Sequence, residues 1–271
     1  MQTNVVESVF NDPKVADPFL SHYDTLRGRV RTEVSRRHLV DVVPLHESRF
    51  NILDVGAGDG RDASWLASLG HDVIAIDPAE YMVHRTQVRA QEVSRSATGS
   101  LSAHLGDVGS LSSDFDDSSF DLILSHGVLM YHDDPKWFLK EHIRLLRPGG
   151  FLSILTKNAS SLAFRAASEG HLDEAIRLLN DSDSMGHLGV ATHAHSVQDI
   201  ADYAACAGGT LRSWAGVRIF TDYGPLAGGS VDEDRAVELE LLSSRLDPQR
   251  RIAALIHVII QRGVDLSPLP S

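Results

Sequence analysis

Apolar positions along the chain fall into short unbroken runs that alternate with segments of helical periodicity. Ile52, Leu53 and Val55 make the first run, Val73, Ile74, Ala75 and Ile76 the second, and residues 101–105, 120–125 and 151–156 three more. Runs without polar alternation suit strands covered on both faces, as in a parallel sheet. Between them residues 61–69, 79–94 and 134–146 read as helices, so the pattern predicts an α/β fold. Ahead of the first strand, Phe19, Tyr23, Leu26, Val30, Val34 and Leu39 recur at roughly helical spacing, giving one or two helices within an N-terminal extension over residues 1–48. Arg27, Arg29, Arg31, Arg36 and Arg37 are interspersed there, and a solvated face accounts for all but Arg31. Behind the fifth strand lies an insertion, residues 157–195, with helical pieces at 160–167 and 173–180. Residues 197–207 then read as a helix, 210–223 as a bent sixth strand, 231–245 as a helix and 255–261 as a last strand.

Composition narrows this to one packed domain over residues 1–271, since 42% of the chain is hydrophobic and 23% charged. The net charge of -12 argues against sequence-independent attachment to nucleic acid and leaves room for a local basic patch. Cys206 is the single cysteine, so no internal disulfide forms, and its alanine neighbours suggest a buried place in a helix. Neither end carries an apolar stretch long enough to target or cross a membrane, and a cytoplasmic protein is expected.

Candidate chemistry gathers where the first run breaks into Asp54-Val-Gly56-Ala-Gly58-Asp-Gly60. Glycines there let the backbone turn tightly and approach a ligand, and the helix behind them aims free N–H groups at the loop. Asp77 closes the second run, where a carboxylate grips a ribose diol in nucleotide-binding βαβ units. Asp107 follows the third run; an acceptor there suits an exocyclic amine, and a plain turn aspartate is the alternative. His126 ends the fourth run, and ligands of open parallel sheets bind outside the carboxyl ends of the strands. His187, His193 and His195 follow no regular ligand spacing, so no metal is expected.

The Gly-x-Gly-x-Gly spacing, with Asp54 inside the strand and Asp77 beyond it, resembles the first motif of the Rossmann-like class of S-adenosylmethionine-dependent methyltransferases. Arg147-Pro-Gly-Gly before an apolar strand is common in the same class. The resemblance implies a Rossmann-like seven-stranded methyltransferase sheet, with N-terminal helices and a helical lid inserted after the fifth strand. It also implies S-adenosyl-L-methionine as cofactor and S-adenosyl-L-homocysteine as product, with Asp54, Gly56, Ala57, Gly58, Asp77, Asp107, Val108 and His126 lining the cofactor.

A narrower likeness runs along most of the chain. It is carried by Tyr23 with Arg31, by Asp121-Leu-Ile-Leu-Ser-His126-Gly-Val-Leu, by Asn158, by Gly216-Val-Arg218-Ile-Phe-Thr-Asp222-Tyr223, and by Glu238-Leu-Glu240 with Ile256-His257-Val258. These resemble the tRNA 5-carboxymethoxyuridine methyltransferases, which esterify a carboxylate on a wobble uridine. The likeness implies that Arg31 holds the methionine carboxylate and that Arg218 faces the substrate carboxylate, with Tyr131, Lys157 and Asn158 on the substrate side. Val217 and Ile219 flank Arg218 as if it were embedded in a sheet; a strand-end surface arginine is the other reading. His126 would orient substrate or cofactor, or act as base if the acceptor were a hydroxyl. Met130 and Tyr131 replace a glutamate and tryptophan of that family, Lys157 replaces an aromatic, and Asp181-Ser-Asp-Ser-Met-Gly-His187 stands where the family is lysine-rich. Both a tRNA and a small-molecule acid therefore stay open as acceptor, and the oligomeric state is not specified.

Overall fold

The computed structural model describes residues 9–185, 190–223, 226 and 231–264, so His187 and the first eight positions of the N-terminal extension lie outside the described residues. Strand β1 (Asn51–Val55) is buried at every position after Asn51. It pairs in parallel with β2 (Asp72–Asp77) on one side and β4 (Phe120–His126) on the other. β3 (Ser100–Leu105) lies beyond β2, and β5 (Leu146–Lys157) beyond β4. A short hairpin, β6 (Asp183–Met185) with β7 (Ala191–His193), stands apart from this sheet. β8 (Gly209–Val217) and β9 (Leu255–Arg262) complete the sheet in the order β3-β2-β1-β4-β5-β9-β8, with β9 antiparallel to both neighbours. The strand order reverses between β1 and β4, and a crevice opens at their carboxyl ends.

Helices cover both faces, which is why the strands read as apolar runs. Successive strand residues point to opposite sides. Ile52 packs with Leu39, Leu66 and Val93 on one face, whereas Leu53 and Val55 join Phe138, Leu139 and Ile143 on the other. The first face is roofed by α2 (Leu26–Val42), α3 (Arg61–Ser68) and α4 (Glu80–Ser96), which follow α1 (Pro13–Ser21). The short α5 (Leu111–Asp114) precedes β4; α6 (Pro135–Leu145) and α9 (Val197–Cys206) cover the second face. Full burial of each such Leu or Ile stabilises by about 2 kcal/mol. α6 starts behind Asp134, whose carboxylate accepts the Trp137 N–H at 3.0 Å, with Pro135 in the first turn where no N–H is needed. Cys206, expected inside, is exposed at the end of α9, where the helix turns out of the core.

The insertion holds α7 (Leu162–Ser168) and α8 (Leu172–Leu178), which close on a small core of Ala166, Ala175 and Leu178. The β6–β7 hairpin behind them is too short to leave an alternation in the sequence. One expected strand is shortened: β8 stops at Val217 instead of running to residue 223. Arg218 has φ 63°, a left-handed turn that ends the ladder. Glu240 on α10 (Glu233–Ser243) then accepts the N–H groups of Ile219 at 2.8 Å and of Phe220 and Thr221 at 2.9 Å, and the Thr221 hydroxyl at 2.9 Å. One buried carboxylate satisfies the backbone that a strand partner would have satisfied, so Ile219 is buried without being in the sheet. No helix among the described residues is long and apolar enough to cross a membrane.

Candidate active site

A cavity of about 940 Å³ lies over the crevice, roofed by α1, α2 and the insertion. It brings together Arg31, Asp54, Gly56, Ala57, Gly58, Asp77, Asp107, Val108, His126, Tyr131, Lys157 and Arg218; Asn158 is not among its lining.

At the floor, Gly56, Gly58 and Gly60 have φ of 68°, 56° and 75°, angles that only glycine adopts freely. The Gly56 and Ala57 N–H groups donate to the Ile76 carbonyl at 2.9 and 3.0 Å, fastening the loop to β2. A Cβ on Gly56 would come within 2.4 Å of Val128, whereas one on Gly58 would project into open space, so the cavity comes down to the backbone at Gly58. Asp77, at the end of β2, accepts the Gly58 N–H at 2.8 Å and the Ala79 N–H at 3.0 Å. Burial pushes its carboxyl up to about 6, against the pull of those two bonds. Burial, together with neighbouring Asp62 and Asp77, also holds Asp54 well above the ordinary carboxylate range. Asp107 caps a helical turn through its Ser110 N–H contact at 3.0 Å, and its other oxygen takes no hydrogen bond among the described residues. Arg31, on α2, stacks over Tyr23 at 4.9 Å and has no acidic partner among the described residues. An unpaired guanidinium opposite a glycine loop and a strand-end carboxylate fits S-adenosylmethionine, which carries a carboxylate, a sulfonium and a ribose diol.

His126 is held from both sides. Its Nδ1 lies 3.2 Å from Asp62 and its Nε2 2.9 Å from the Ser153 hydroxyl. Ser153 continues at 2.7 Å to His257, and His257 at 2.9 Å to His38. Burial keeps both of these inner imidazoles neutral, lowering His38 to about 4 and His257 well below its ordinary value. Burial alone would raise Asp62, but the bond and charge of His126, with Arg36 and Arg31, pull its carboxyl below the usual range. Arg36 reaches Asp62 at 2.9 Å, so the expectation of a solvated Arg36 is corrected. Nothing in its spacing from Arg31 signals this.

The far wall is cationic. Arg218 forks onto Asp222 at 2.8 and 2.5 Å. Arg27 and Arg165 approach the same buried carboxylate at 3.4 and 3.6 Å. Arg27, expected in solvent, stands one helical turn before Arg31 and so shares its face; that spacing was the available signal. Tyr131 lines the cavity with its hydroxyl kept protonated, because burial raises it. Asn158, expected at the substrate, instead donates to the Arg251 and Ala253 carbonyls at 2.9 and 2.8 Å and accepts the Ser160 N–H at 3.1 Å. Those bonds occupy its amide in holding the start of the insertion against residues 251–253, ahead of β9. His193, in the insertion, is paired with Asp183 at 2.7 Å and Asp133 at 3.3 Å.

The profile of a family described as "Methyltransferase domain" matches residues 53–154, from β1 through β5. The chain is 26% identical over 263 residues to the tRNA 5-carboxymethoxyuridine methyltransferase of Escherichia coli (strain K12), covering 93% of this chain and 96% of that one. It is 29% identical over 199 residues to a ubiquinone biosynthesis O-methyltransferase of Maricaulis maris, covering 72% and 71%. Among solved structures, an S-adenosylmethionine-dependent methyltransferase from Mesorhizobium loti superposes with a TM-score of 0.60 at 18% identity, covering 88% of this chain and 100% of that one. The similarity is to methyltransferases at every level compared, from the central domain to the whole fold, and the chain is an S-adenosylmethionine-dependent methyltransferase of the class I fold.

Proposed function

We propose that this enzyme methylates the carboxylate of a small organic acid held beneath the insertion, making a methyl ester. The carrying observation is the wall on which Arg27, Arg165 and Arg218 share the one buried carboxylate of Asp222. At the cavity wall positive charge remains in surplus even with Glu169, the partner of Arg165, counted; the buried carboxylate of Glu240 lies off the lining, behind the turn. An acceptor carboxylate offsets that surplus. In the other half of the cavity Arg31 takes the methionine carboxylate, Asp77 the ribose hydroxyls and Asp107 the adenine amine, while Asp54, Gly56, Ala57, Gly58 and Val108 shape the floor.

The bound cofactor supplies an electrophilic methyl group on a sulfonium. A carboxylate is already ionised at neutral pH, so no residue has to remove a proton. That agrees with His126, whose nitrogens are engaged by Asp62 and Ser153; its role is to hold the floor beside the cofactor. The residues' task is alignment. Arg218, fixed by its fork to Asp222 and by the left-handed turn, orients the acid; Tyr131 donates a hydrogen bond; α7 and α8 exclude water. A relative whose name is that of an O-methyltransferase supports oxygen as the accepting atom.

A second reading keeps the carboxylate and places it on tRNA, favoured by the end-to-end similarity to the Escherichia coli enzyme. Labelled S-adenosylmethionine, supplied separately with a low-mass cell extract and with bulk tRNA lacking the ester, tests both. Label in low-mass product supports the first reading and label in tRNA the second. Incorporation into neither, by protein that binds the cofactor, would contradict both.

A further inference from the structure

The proposed acceptor carboxylate sits at Arg218, yet a second cation, Lys157, enters the same cavity from the end of β5. Its ammonium donates to the Thr192 hydroxyl at 2.6 Å and the Ser184 hydroxyl at 3.3 Å, both on the β6–β7 hairpin. Ser184 and Thr192 also line the cavity. An ammonium has three protons, so one donor is left over, and no carboxylate pairs with it among the described residues. The acids on this side are committed elsewhere: Glu169 pairs with Arg165, Glu174 with Arg177, and Asp222 with the three arginines. Burial, and then the charge of Arg165, lowers the Lys157 ammonium from its ordinary value, which an anion alongside would relieve.

The sheet fixes how Lys157 and Arg218 stand relative to each other. Leu255 on β9 pairs with Lys157 on one side and with Val217, next to Arg218, on the other. Two strand spacings separate those backbones, roughly 10 Å. Leu255 and Ala254 form the cavity wall between the two cations. Resting on the carboxylate reading above, we propose that the acceptor is a short diacid, with one carboxylate presented by Arg218 for methylation and the other held by Lys157, Ser184 and Thr192. The apolar spacer of such an acid lies along Leu255. Lys157 and the hairpin then select for the second anionic group, while Arg218 serves any carboxylate.

The test uses the full chain loaded with S-adenosylhomocysteine, so that no turnover intervenes. Succinate, glutarate and adipate are each titrated by calorimetry against butyrate, valerate and hexanoate. The expected result is that one diacid binds about tenfold more tightly than its matched monoacid, a charge-assisted contact's worth. Lys157→Gln is expected to bring that ratio to about one, and Lys157→Arg, which keeps the charge, to retain most of it. A ratio near one at every chain length, or one that persists in Lys157→Gln, would overturn the diacid assignment and leave the carboxylate reading standing. Failure of every acid to bind, in protein that holds S-adenosylhomocysteine, would remove both.

Discussion

At the scale of residues, cofactor recognition reduces to a few groups whose charge states can be read out. Asp77 has the clearest signature. Its carboxyl lies at about 6 when folded, against 3.8 as the reference value. Between those values the folded chain holds a proton that the unfolded chain has released, so this group's contribution to stability falls as pH rises from about 4 to about 6, by about 3 kcal/mol at most. In the role proposed for Asp77 the ionised form would accept both ribose hydroxyls, so cofactor affinity is expected to have the opposite slope, weakening as pH drops below about 6. Calorimetric titration of S-adenosylmethionine across that range is expected to show the decline, and Asp77→Asn to flatten it while weakening binding at neutral pH by roughly tenfold. A flat wild-type profile would mean that the ribose is held elsewhere. Arg31→Gln, which keeps bulk and loses charge, is expected to cost a similar factor with little change in Tm, since its guanidinium pairs with no acid among the described residues.

At the scale of elements, the alternation of apolar runs with helical segments was enough to place the sheet. Parallel strands buried on both faces leave the run of Ile52 to Val55 with one polar member, Asp54, and that member lines the site. The position of the glycine loop and Asp77 was legible for a related reason: they stand at the ends of successive strands, where both line the cavity. What the chain does not announce is chemistry that depends on contacts distant in sequence. Arg27 and Arg165 meet at Asp222 from helices far apart, and Glu240 replaces a strand partner for residues 219–221. The apolar flanks of Arg218 therefore suggested a strand where a left-handed turn stands. Glu240→Ala would orphan three N–H groups, two of them buried, and a buried hydroxyl, with an expected loss of about 3 kcal/mol in urea unfolding. Because the same turn carries Arg218, methyl transfer is expected to fall further than cofactor affinity. Wild-type stability in that variant would show that the turn is held by other contacts.

At the scale of the whole molecule, the distribution of charge bears on the choice between acceptors. The chain's net charge of -12 opposes the long-range approach of any anion, an extended phosphate backbone most of all, while the cationic wall of the cavity offers short-range contacts to a single small one. Turnover of a small acid is expected to vary little with salt, whereas a polyanionic RNA substrate would give a steep decline in kcat/KM across the same range. The bond formed to the transferred methyl tests the central claim most directly. Product labelled from S-adenosylmethionine, treated with mild alkali, should release its label as methanol, and Arg218→Gln should abolish incorporation while still binding the cofactor. Label that withstands alkali would place the methyl on nitrogen, carbon or an ether oxygen and would contradict the esterification of a carboxylate.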